Sequence, residues 1–240
     1  MPAGEEGSRL SARLVLVLGG ARSGKSAFAQ SLAERAGGGV CFVATAEDGD
    51  EEMRRRIRRH RANRPKEWET VELEGGIRLG KPPTPGRVVL LDCLTLYLSN
   101  LMAVRGLDRT DESGASIPEE ELERREREVV EEALSLVERL RRRSRLLIVV
   151  SNEVGMGLIP PFPSGRLFRD LAGRLHQRLA EEAEEVYLVV AGLPLCLKDG
   201  ENPLSGERHG GLKRTVDLIG ARRQTDGKTE KDAGEGPGAG

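Results

Sequence analysis

A glycine-rich segment directly after an apolar run constrains this chain more than any other feature. Residues 14–18 read Leu-Val-Leu-Val-Leu, and the next eight residues match G-x-x-x-x-G-K-[ST] at every fixed position. This pattern is typical of a phosphate-binding loop between a buried strand and a helix. The loop consists of Gly19, Gly20, Ala21, Arg22, Ser23, Gly24, Lys25 and Ser26.

The residue types of this loop suit a polyphosphate. Glycine at positions 19, 20 and 24 lets backbone N–H groups turn inward around the β-phosphate. We expect the Lys25 ammonium to reach the β- and γ-phosphates and the Ser26 hydroxyl to bind Mg²⁺. The helix that begins near Lys25 adds the positive end of its dipole. The loop therefore predicts binding of a nucleoside triphosphate with Mg²⁺.

Short apolar runs alternate with helical stretches along the chain. Continuous runs of Val, Leu and Ile are typical of strands that are buried on both faces. We predict a single α/β domain of the P-loop NTPase type, RecA-like, with a mostly parallel sheet between helices on both faces. The predicted strands are 14–18, 40–44, 88–92, 146–151 and 186–191, and the predicted helices are 25–36, 50–63, 94–104, 119–143 and 166–182.

Composition supports one domain and argues against several partners. The chain has 240 residues, 38% of them hydrophobic, which suffices for one sizeable core. Its net charge of −1 and its 3% aromatic content offer nucleic acid neither a phosphate track nor a stacking platform. No apolar stretch is long enough for membrane insertion, so we predict a cytoplasmic protein. Cys41, Cys93 and Cys196 lie in or beside apolar runs, as buried reduced thiols do.

The two ends of the chain differ in composition from its middle. Residues 1–9 are mostly polar, and residues 225–240 contain only Gly, Ala, Pro, Asp, Glu, Lys and Thr. Such a composition buries too little surface to offset the entropy of ordering the chain. We interpret residues 1–12 as a flexible segment, 13–198 as the P-loop domain and 199–240 as a disordered tail.

A second chemical feature, the carboxylate of Asp92, ends the third predicted strand. Asp92 would stand at the carboxyl edge of the sheet, where it could position Mg²⁺ or its waters. As an alternative, Asp92 caps the helix that starts at residue 94, and the two roles can coexist.

His60 is the most unusual titratable residue, because the chain has only three histidines and this one has four arginines within residues 58–64. Those arginines would attract a phosphate, and a neutral imidazole can attack phosphorus to give a phosphoramidate. The residues alone leave a solvated helix face as an equal alternative.

Further blocks follow the phosphate loop in an order that is similar to one enzyme family. They are Phe-Val-Ala-Thr-Ala at 42–46, the stretch 56–68 with His60 and Trp68, Leu-Leu-Asp-Cys-Leu-Thr at 90–95, Asn-Leu at 100–101, and the segments 151–160 and 168–174. Over about residues 13–198 the chain resembles the bifunctional adenosylcobinamide kinase / adenosylcobinamide-phosphate guanylyltransferase family. The Asn-Glu-Val-Gly-Met-Gly run at 152–157 is more specific than the phosphate loop.

This resemblance implies two reactions. The enzyme would phosphorylate the aminopropanol hydroxyl of adenosylcobinamide with ATP or GTP, and would then transfer GMP from GTP to that phosphate with release of pyrophosphate. The second reaction would pass through a guanylyl-histidine, for which His60 is the matching position. Lys25 would stabilise the departing pyrophosphate. Arg59 stands where some members carry a second histidine, so His60 is the sole candidate.

The same resemblance implies a set of residues around GTP. Glu72 is our candidate to accept hydrogen bonds from guanine N1–H and N2–H, although an exposed carboxylate at a strand edge is an equal alternative. Asp92 is one methylene shorter than the Glu of some members and would then hold Mg²⁺ through water. The implied set is Ala44, Thr45, Ala46, Arg61, Ala62, Asn63, Arg64, Glu72 and Asp92.

The residues alone allow more than one role for the 152–157 loop and for the remaining histidines. The 152–157 loop could contact the corrinoid, contact a neighbouring subunit, or form a turn that supports the phosphate loop. We interpret His176 as structural or solvated, and His209 lies beyond the matched region. Family members can form homotrimers. The alternatives to the bifunctional enzyme are a P-loop kinase for a small metabolite, a RecA-like ATPase acting on nucleic acid, and a member with only one of the two activities.

Overall fold

A seven-stranded sheet forms the centre of the computed structural model, which describes residues 12–46, 51, 64–107 and 118–199. The strands are β1 (Arg13–Gly19), β2 (Val40–Ala44), β3 (Glu69–Glu72), β4 (Arg87–Asp92), β5 (Ser144–Asn152), β6 (Glu185–Val190) and β7 (Leu193–Lys198). They lie in the order β3-β2-β4-β5-β1-β6-β7. The first six are parallel, and β7 runs antiparallel to β6.

Helices cover both faces of this sheet. The described helices are α1 (Lys25–Ala36), α2 (Leu94–Val104), α3 (Glu119–Arg141) and α4 (Pro163–Glu182). On one face α1 packs Phe28, Ala29 and Ala33 into a cluster with the odd residues of β1, such as Val17. On the other face α2, α3 and α4 enclose the even residues of β1, such as Leu16. Both faces of β1 are therefore buried, which explains its unbroken apolar run.

The structure confirms the predicted RecA-like α/β fold and corrects some boundaries. It adds β3 and β7, which the sequence analysis did not predict. Of the four residues in β3 only Val71 is buried, and β7 has exposed leucines. These are edge strands, and they lack the long buried apolar run from which the other strands are predicted. The fourth helix begins three residues earlier than expected, at Pro163, because proline suits the first turn of a helix.

Other expectations fall partly or wholly outside the described residues. Within the predicted helix 50–63, only Glu51 is described, and it is helical. Helix α3 ends at Arg141 rather than at residue 143, because β5 begins at Ser144. Most of the predicted N-terminal segment and nearly all of the predicted tail also lie outside the described part, so both stay predictions.

Candidate nucleotide-binding site

The phosphate loop turns sharply between β1 and α1, and glycine is required at two of its positions. A Cβ on Gly19 would lie 2.5 Å from Ser23 Oγ and 2.6 Å from the Val189 carbonyl oxygen. Gly24 has a φ of 94°, a conformation that other residues rarely adopt. The Ser23 N–H closes the turn by donating to the Gly20 oxygen at 3.2 Å. These contacts confirm the predicted strand–loop–helix arrangement.

Two positive features meet at this loop. The Lys25 side chain is only 9% exposed, and its Nζ donates to the Gly20 oxygen at 3.3 Å, so it folds back over the loop. Helix α1 begins at Lys25, with no acidic residue in its first turn and no side-chain cap. The N-cap residue Gly24 offers no side chain, and the Lys25 N–H makes only a long hydrogen bond of 3.4 Å to Ser23 Oγ within the loop, so this helix N-terminus can bind an anion. Ser26 occupies the second position of this helix.

A hairpin that the sequence analysis missed supports the loop from the side. The turn between β6 and β7 consists of Ala191 and Gly192, with φ values of 51° and 80°. Gly192 N–H donates to the Ser23 oxygen at 2.7 Å. A Cβ on Gly24 would lie 3.1 Å from Gly192 Cα, so the two glycines allow close backbone approach. Two apolar runs flanking Ala-Gly were the available signal, but Asn-Gly or Asp-Gly is the stronger hairpin signature.

The loop stands at the point where the sheet changes winding direction. Strand β1 leads into α1 on one face and then to β2, whereas its neighbour β5 leads into α4 on the opposite face and then to β6. Gly19 and Asn152, the last residues of β1 and β5, are register partners. In open α/β sheets the crevice at such a point, beyond the carboxyl ends of the strands, is where ligands bind.

Asp92 lies at the same edge and on the same face as α1. It ends β4 and pairs in register with Ala44 of β2. Val88 and Leu90 of β4 pack in the α1 cluster, so strand alternation directs Asp92 to that face as well. Cys93, not Asp92, is the N-cap residue of α2, and it makes no side-chain capping bond. The alternative that Asp92 caps this helix is therefore wrong.

Buried polar contacts join the ends of β2, β4 and β5. The Thr45 hydroxyl donates to the Cys93 oxygen at 2.8 Å and accepts from the Cys93 N–H at 2.9 Å. The Thr95 hydroxyl accepts from the Asn152 N–H at 3.1 Å and from Asn152 Nδ2 at 2.9 Å. Asn100 Nδ2 donates to the Thr45 oxygen at 3.2 Å. The Thr45 hydroxyl thus has a structural role, and its contact with nucleotide stays a prediction.

The structure brings together some of the residues expected around GTP. Ala44 is the register partner of both Asp92 and Glu72, so all three lie at one edge of the sheet, and the Glu72 side chain is exposed. Arg64 instead lies over the middle of β2, with its guanidinium carbon 3.5 Å from the centre of the Phe42 ring. Ala46 follows β2 directly. The expected residues that lie outside the described part of the chain are His60, Arg61, Ala62 and Asn63.

A buried hydrogen-bonded pair, Ser151 and His176, lies next to the end of β5 that contacts the phosphate loop. Ser151 Oγ and His176 Nε2 form a hydrogen bond of 2.7 Å, and His176 Nδ1 is 3.9 Å from a Glu153 carboxylate oxygen. Burial lowers the pKa of His176, and the Glu153 charge partly opposes this. Glu153 N–H donates to the Gly19 oxygen at 3.0 Å. His176 is therefore structural, and the start of the 152–157 loop supports the phosphate loop.

The described residues contain neither a cluster of metal-ligating side chains nor a membrane-spanning helix. No group of three or more His, Cys, Asp or Glu side chains there is arranged to hold a metal ion. Among the described helices, none combines the length and the apolar character needed to cross a bilayer.

Comparison with known proteins gives consistent matches over most of the chain. The family model for cobinamide kinase / cobinamide phosphate guanyltransferase matches residues 15–197. A bifunctional adenosylcobalamin biosynthesis protein, CobP of Pseudomonas aeruginosa, is 43% identical over 185 residues, which cover 76% of this chain and 96% of that protein. The corresponding CobU proteins are 38% identical in Escherichia coli and 37% in Salmonella typhimurium, and each match covers 77% of this chain and 99% of the relative.

Proposed function

Because this chain belongs to the cobinamide kinase / cobinamide phosphate guanyltransferase family, we propose that its phosphate loop serves two successive reactions of adenosylcobalamin biosynthesis. In the first, the aminopropanol hydroxyl of adenosylcobinamide attacks the γ-phosphorus of ATP or GTP, loses its proton and releases the nucleoside diphosphate. In the second, GMP passes from GTP to the new phosphate. The products are adenosylcobinamide-GDP and pyrophosphate.

The observation that carries this proposal is the loop geometry around Lys25. Both reactions have a polyphosphate leaving group, and both require its developing negative charge to be stabilised. The Lys25 ammonium and the N-terminus of α1 supply two positive features at one point of the crevice. One cradle can therefore serve both steps, provided that GTP presents its γ-phosphorus in one step and its α-phosphorus in the other.

The donor set at this edge fits Mg²⁺. Ser26 offers a hydroxyl and Asp92 a carboxylate, and both are hard oxygen ligands on the α1 side of the sheet. Mg²⁺ usually keeps several waters and binds phosphate oxygens, so two protein oxygens are sufficient. When bound, the ion neutralises phosphate charge. In this role Asp92 would orient the waters around the ion, and Ser26 would contact it directly.

We propose His60 as the nucleophile of the second reaction. Its imidazole nitrogen would attack the α-phosphorus, and the bond to the bridging oxygen would break as pyrophosphate leaves. The phosphate of adenosylcobinamide phosphate would then attack the same phosphorus and break the P–N bond. His60 lies outside the described residues, so its support comes from the family and from its arginine-rich sequence.

Three described side chains, Cys93, Cys41 and His176, are poor alternatives to His60 as the nucleophile. Burial, together with the Asp92 charge, raises the pKa of the Cys93 thiol, which therefore stays protonated at neutral pH. Burial raises the pKa of Cys41 to about 12. His176 is buried, and its Nε2 is occupied by Ser151. None of these groups is prepared to attack GTP.

The guanine site is proposed at the β2–β3 side of the crevice. Glu72 would accept hydrogen bonds from the guanine base, with Ala44, Thr45 and Ala46 forming the adjacent backbone wall. The register that joins Ala44 to both Glu72 and Asp92 supports this placement. Residues 61–64 would approach from the segment that follows His60, and Arg64 already lies against Phe42 in β2.

We assign both activities to the domain 13–198, place the protein in the cytoplasm, and expect small-molecule substrates with no nucleic-acid partner. A homotrimer is a prediction from the family.

Substitution of His60 tests this proposal. With GTP labelled at the α-phosphate, the wild-type protein should form an acid-labile, alkali-stable adduct on His60. His60→Ala should lose the adduct and GMP transfer but still phosphorylate adenosylcobinamide, because γ-phosphoryl transfer to a hydroxyl needs no covalent intermediate. His176→Gln is the matched control and should label normally. An adduct elsewhere, or normal transfer by His60→Ala, would refute the assigned nucleophile.

A further inference from the structure

The connection between β5 and α4 presents apolar side chains to solvent. After Glu153, its remaining nine residues 154–162, here called the apolar loop, read Val-Gly-Met-Gly-Leu-Ile-Pro-Pro-Phe and carry no charge, in a chain that is 32% charged. Met156, Leu158, Ile159 and Phe162 are between 66% and 94% exposed. Grouped exposure of large apolar residues is typical of a binding surface rather than of ordinary loop surface.

Contacts at both ends hold the backbone of this loop in place. At its start, Gly155 N–H donates to a Glu153 carboxylate oxygen at 2.6 Å. At its end, the Arg166 guanidinium donates to the oxygens of Pro160 and Pro161 at 3.1 and 2.8 Å. The two prolines also restrict φ. The apolar side chains are therefore displayed by an ordered backbone, which reduces the entropy that a ligand must remove on binding.

The apolar loop also lies beside the phosphate loop. Asn152, two residues before it, is the register partner of Gly19, and Glu153 N–H donates to the Gly19 oxygen at 3.0 Å. The two loops leave neighbouring strands toward opposite faces, so they form the two walls of one crevice. A phosphoryl acceptor must bring its hydroxyl to a phosphate held by Lys25. The remainder of that acceptor must then lie over an adjoining surface.

We propose that the apolar loop binds the corrin ring of the acceptor, an inference that rests on the proposed function. A corrin ring is broad and carries methyl groups and methylene-linked amides, so its faces can cover exposed Leu and Ile side chains. An uncharged loop suits this ligand because no charge has to be desolvated on binding. Placing the ring on Leu158 and Ile159 leaves the flexible aminopropanol arm to cross the crevice toward Lys25.

Two single variants and one control test this inference. Leu158→Ser and Ile159→Ser should each weaken binding of adenosylcobinamide, measured by equilibrium dialysis without nucleotide, by roughly tenfold. The KM for adenosylcobinamide in the kinase assay should rise by the same factor. Covalent labelling of the enzyme by GTP, which needs no corrinoid, should be unchanged. The control is Leu197→Ser, an equally apolar residue that is 55% exposed on the edge strand β7, near the amino end of β6 and so away from the carboxyl ends of the parallel strands.

The outcomes separate the inference from the proposed function. Normal corrinoid binding by both loop variants would overturn the inference while leaving GTP labelling and the proposed function intact. Absence of wild-type labelling, with corrinoid binding still lost in the variants, would overturn the proposed guanylyl transfer but support the loop. If the variants instead sediment as smaller species than wild type and the loss of binding follows dissociation, the loop covers a second copy of the chain and the inference fails.

Discussion

Single charged side chains at the carboxyl edge of the sheet carry most of the chemistry proposed for this enzyme. Lys25 is nearly buried against its own loop, so its charge is held in place before a phosphate arrives. His176 is nearly buried too, but it pairs with Ser151 and acts on the shape of the site rather than on the substrate. Burial alone therefore does not separate Lys25, the proposed phosphate ligand, from His176, which is structural. Their hydrogen-bond partners do, because Lys25 contacts the phosphate loop whereas His176 contacts Ser151.

Lys25→Ala should strongly reduce both activities. In the proposed mechanism both reactions use the same polyphosphate cradle, and removing one charge-stabilising donor typically costs about 3 kcal/mol of transition-state stabilisation, or roughly a hundredfold in rate. Steady-state kinetics of phosphorylation and of GMP transfer measure this loss. Lys81→Ala, at an exposed lysine away from the loop, serves as the control. Near-normal rates of either reaction in the Lys25 variant would contradict a shared site.

His176 should make the folded protein sensitive to mild acid. Burial lowers the pKa of His176 below its ordinary value of 6.5, so between the folded pKa and 6.5 the unfolded chain binds more protons. The free energy of unfolding should therefore fall as the pH drops through this window, by at most about 1.4 kcal/mol per pH unit. His176→Gln removes this titration but keeps Glu153 and all other groups. Urea unfolding of both chains at several pH values should give diverging curves, and parallel curves would refute this role.

At the scale of elements, the phosphate loop depends on a neighbour that is distant in sequence. The β6–β7 hairpin turns at Ala191 and Gly192, and its Gly192 N–H holds the Ser23 oxygen. Both turn residues have positive φ, as two-residue hairpin turns of type I′ require. Gly192 adopts this conformation easily, but Ala191 does so at a cost. The loop geometry is thus maintained by a turn that contains one strained residue.

Substitutions in this turn should have opposite effects. A left-handed conformation costs a non-glycine residue roughly 1–2 kcal/mol, and Asn tolerates it better than Ala. Ala191→Asn should therefore raise the thermal midpoint, and Gly192→Ala should lower it, each by a few degrees. Gly192→Ala should also weaken nucleotide binding, since its backbone contacts the loop. Calorimetry and GTP titration measure the two effects. A destabilised Ala191→Asn would show that the turn does not carry this strain.

At the scale of the whole molecule, the described sheet ends in two different edges. Strand β3 is short and its outer side chains are polar, whereas β7 ends at Lys198, whose Nζ donates to the Ala180 and Glu181 oxygens at 2.9 and 3.0 Å. These bonds cap the end of α4 and attach the last strand to the opposite layer. Lys198 thus joins the last described strand to α4, and a domain boundary at residue 198 stays a prediction from composition.

A chain that ends at Lys198 should keep both activities and its thermal midpoint. The removed residues contain none of the phosphate loop, His60 or Asp92, and their composition disfavours a packed core. Rates should stay within roughly twofold of the full chain. A chain that ends at Gly192 is the contrasting variant and should lose stability, because it removes β7. A large loss of stability in the Lys198 chain would show that the segment 204–219 packs on the domain.

Much of this protein could be predicted from its sequence. Local patterns specify local structure: an unbroken apolar run must be buried on both faces, and glycine at 19 and 24 meets the demands of a tight loop. The phosphate loop, the five inner strands and Asp92 at a strand end were therefore predictable. The family was recognisable because its blocks keep their order along the chain.

Only the tertiary structure decided which distant residues meet. The pairing of Thr45 with Cys93, of Ser151 with His176, and of Gly192 with Ser23 depends on strand order. No periodicity in sequence encodes that order. The edge strands escaped prediction for the same reason, since their stability comes from neighbouring strands rather than from their own burial. The crevice between β1 and β5 is likewise a product of topology, because it exists only where two crossovers leave adjacent strands in opposite directions.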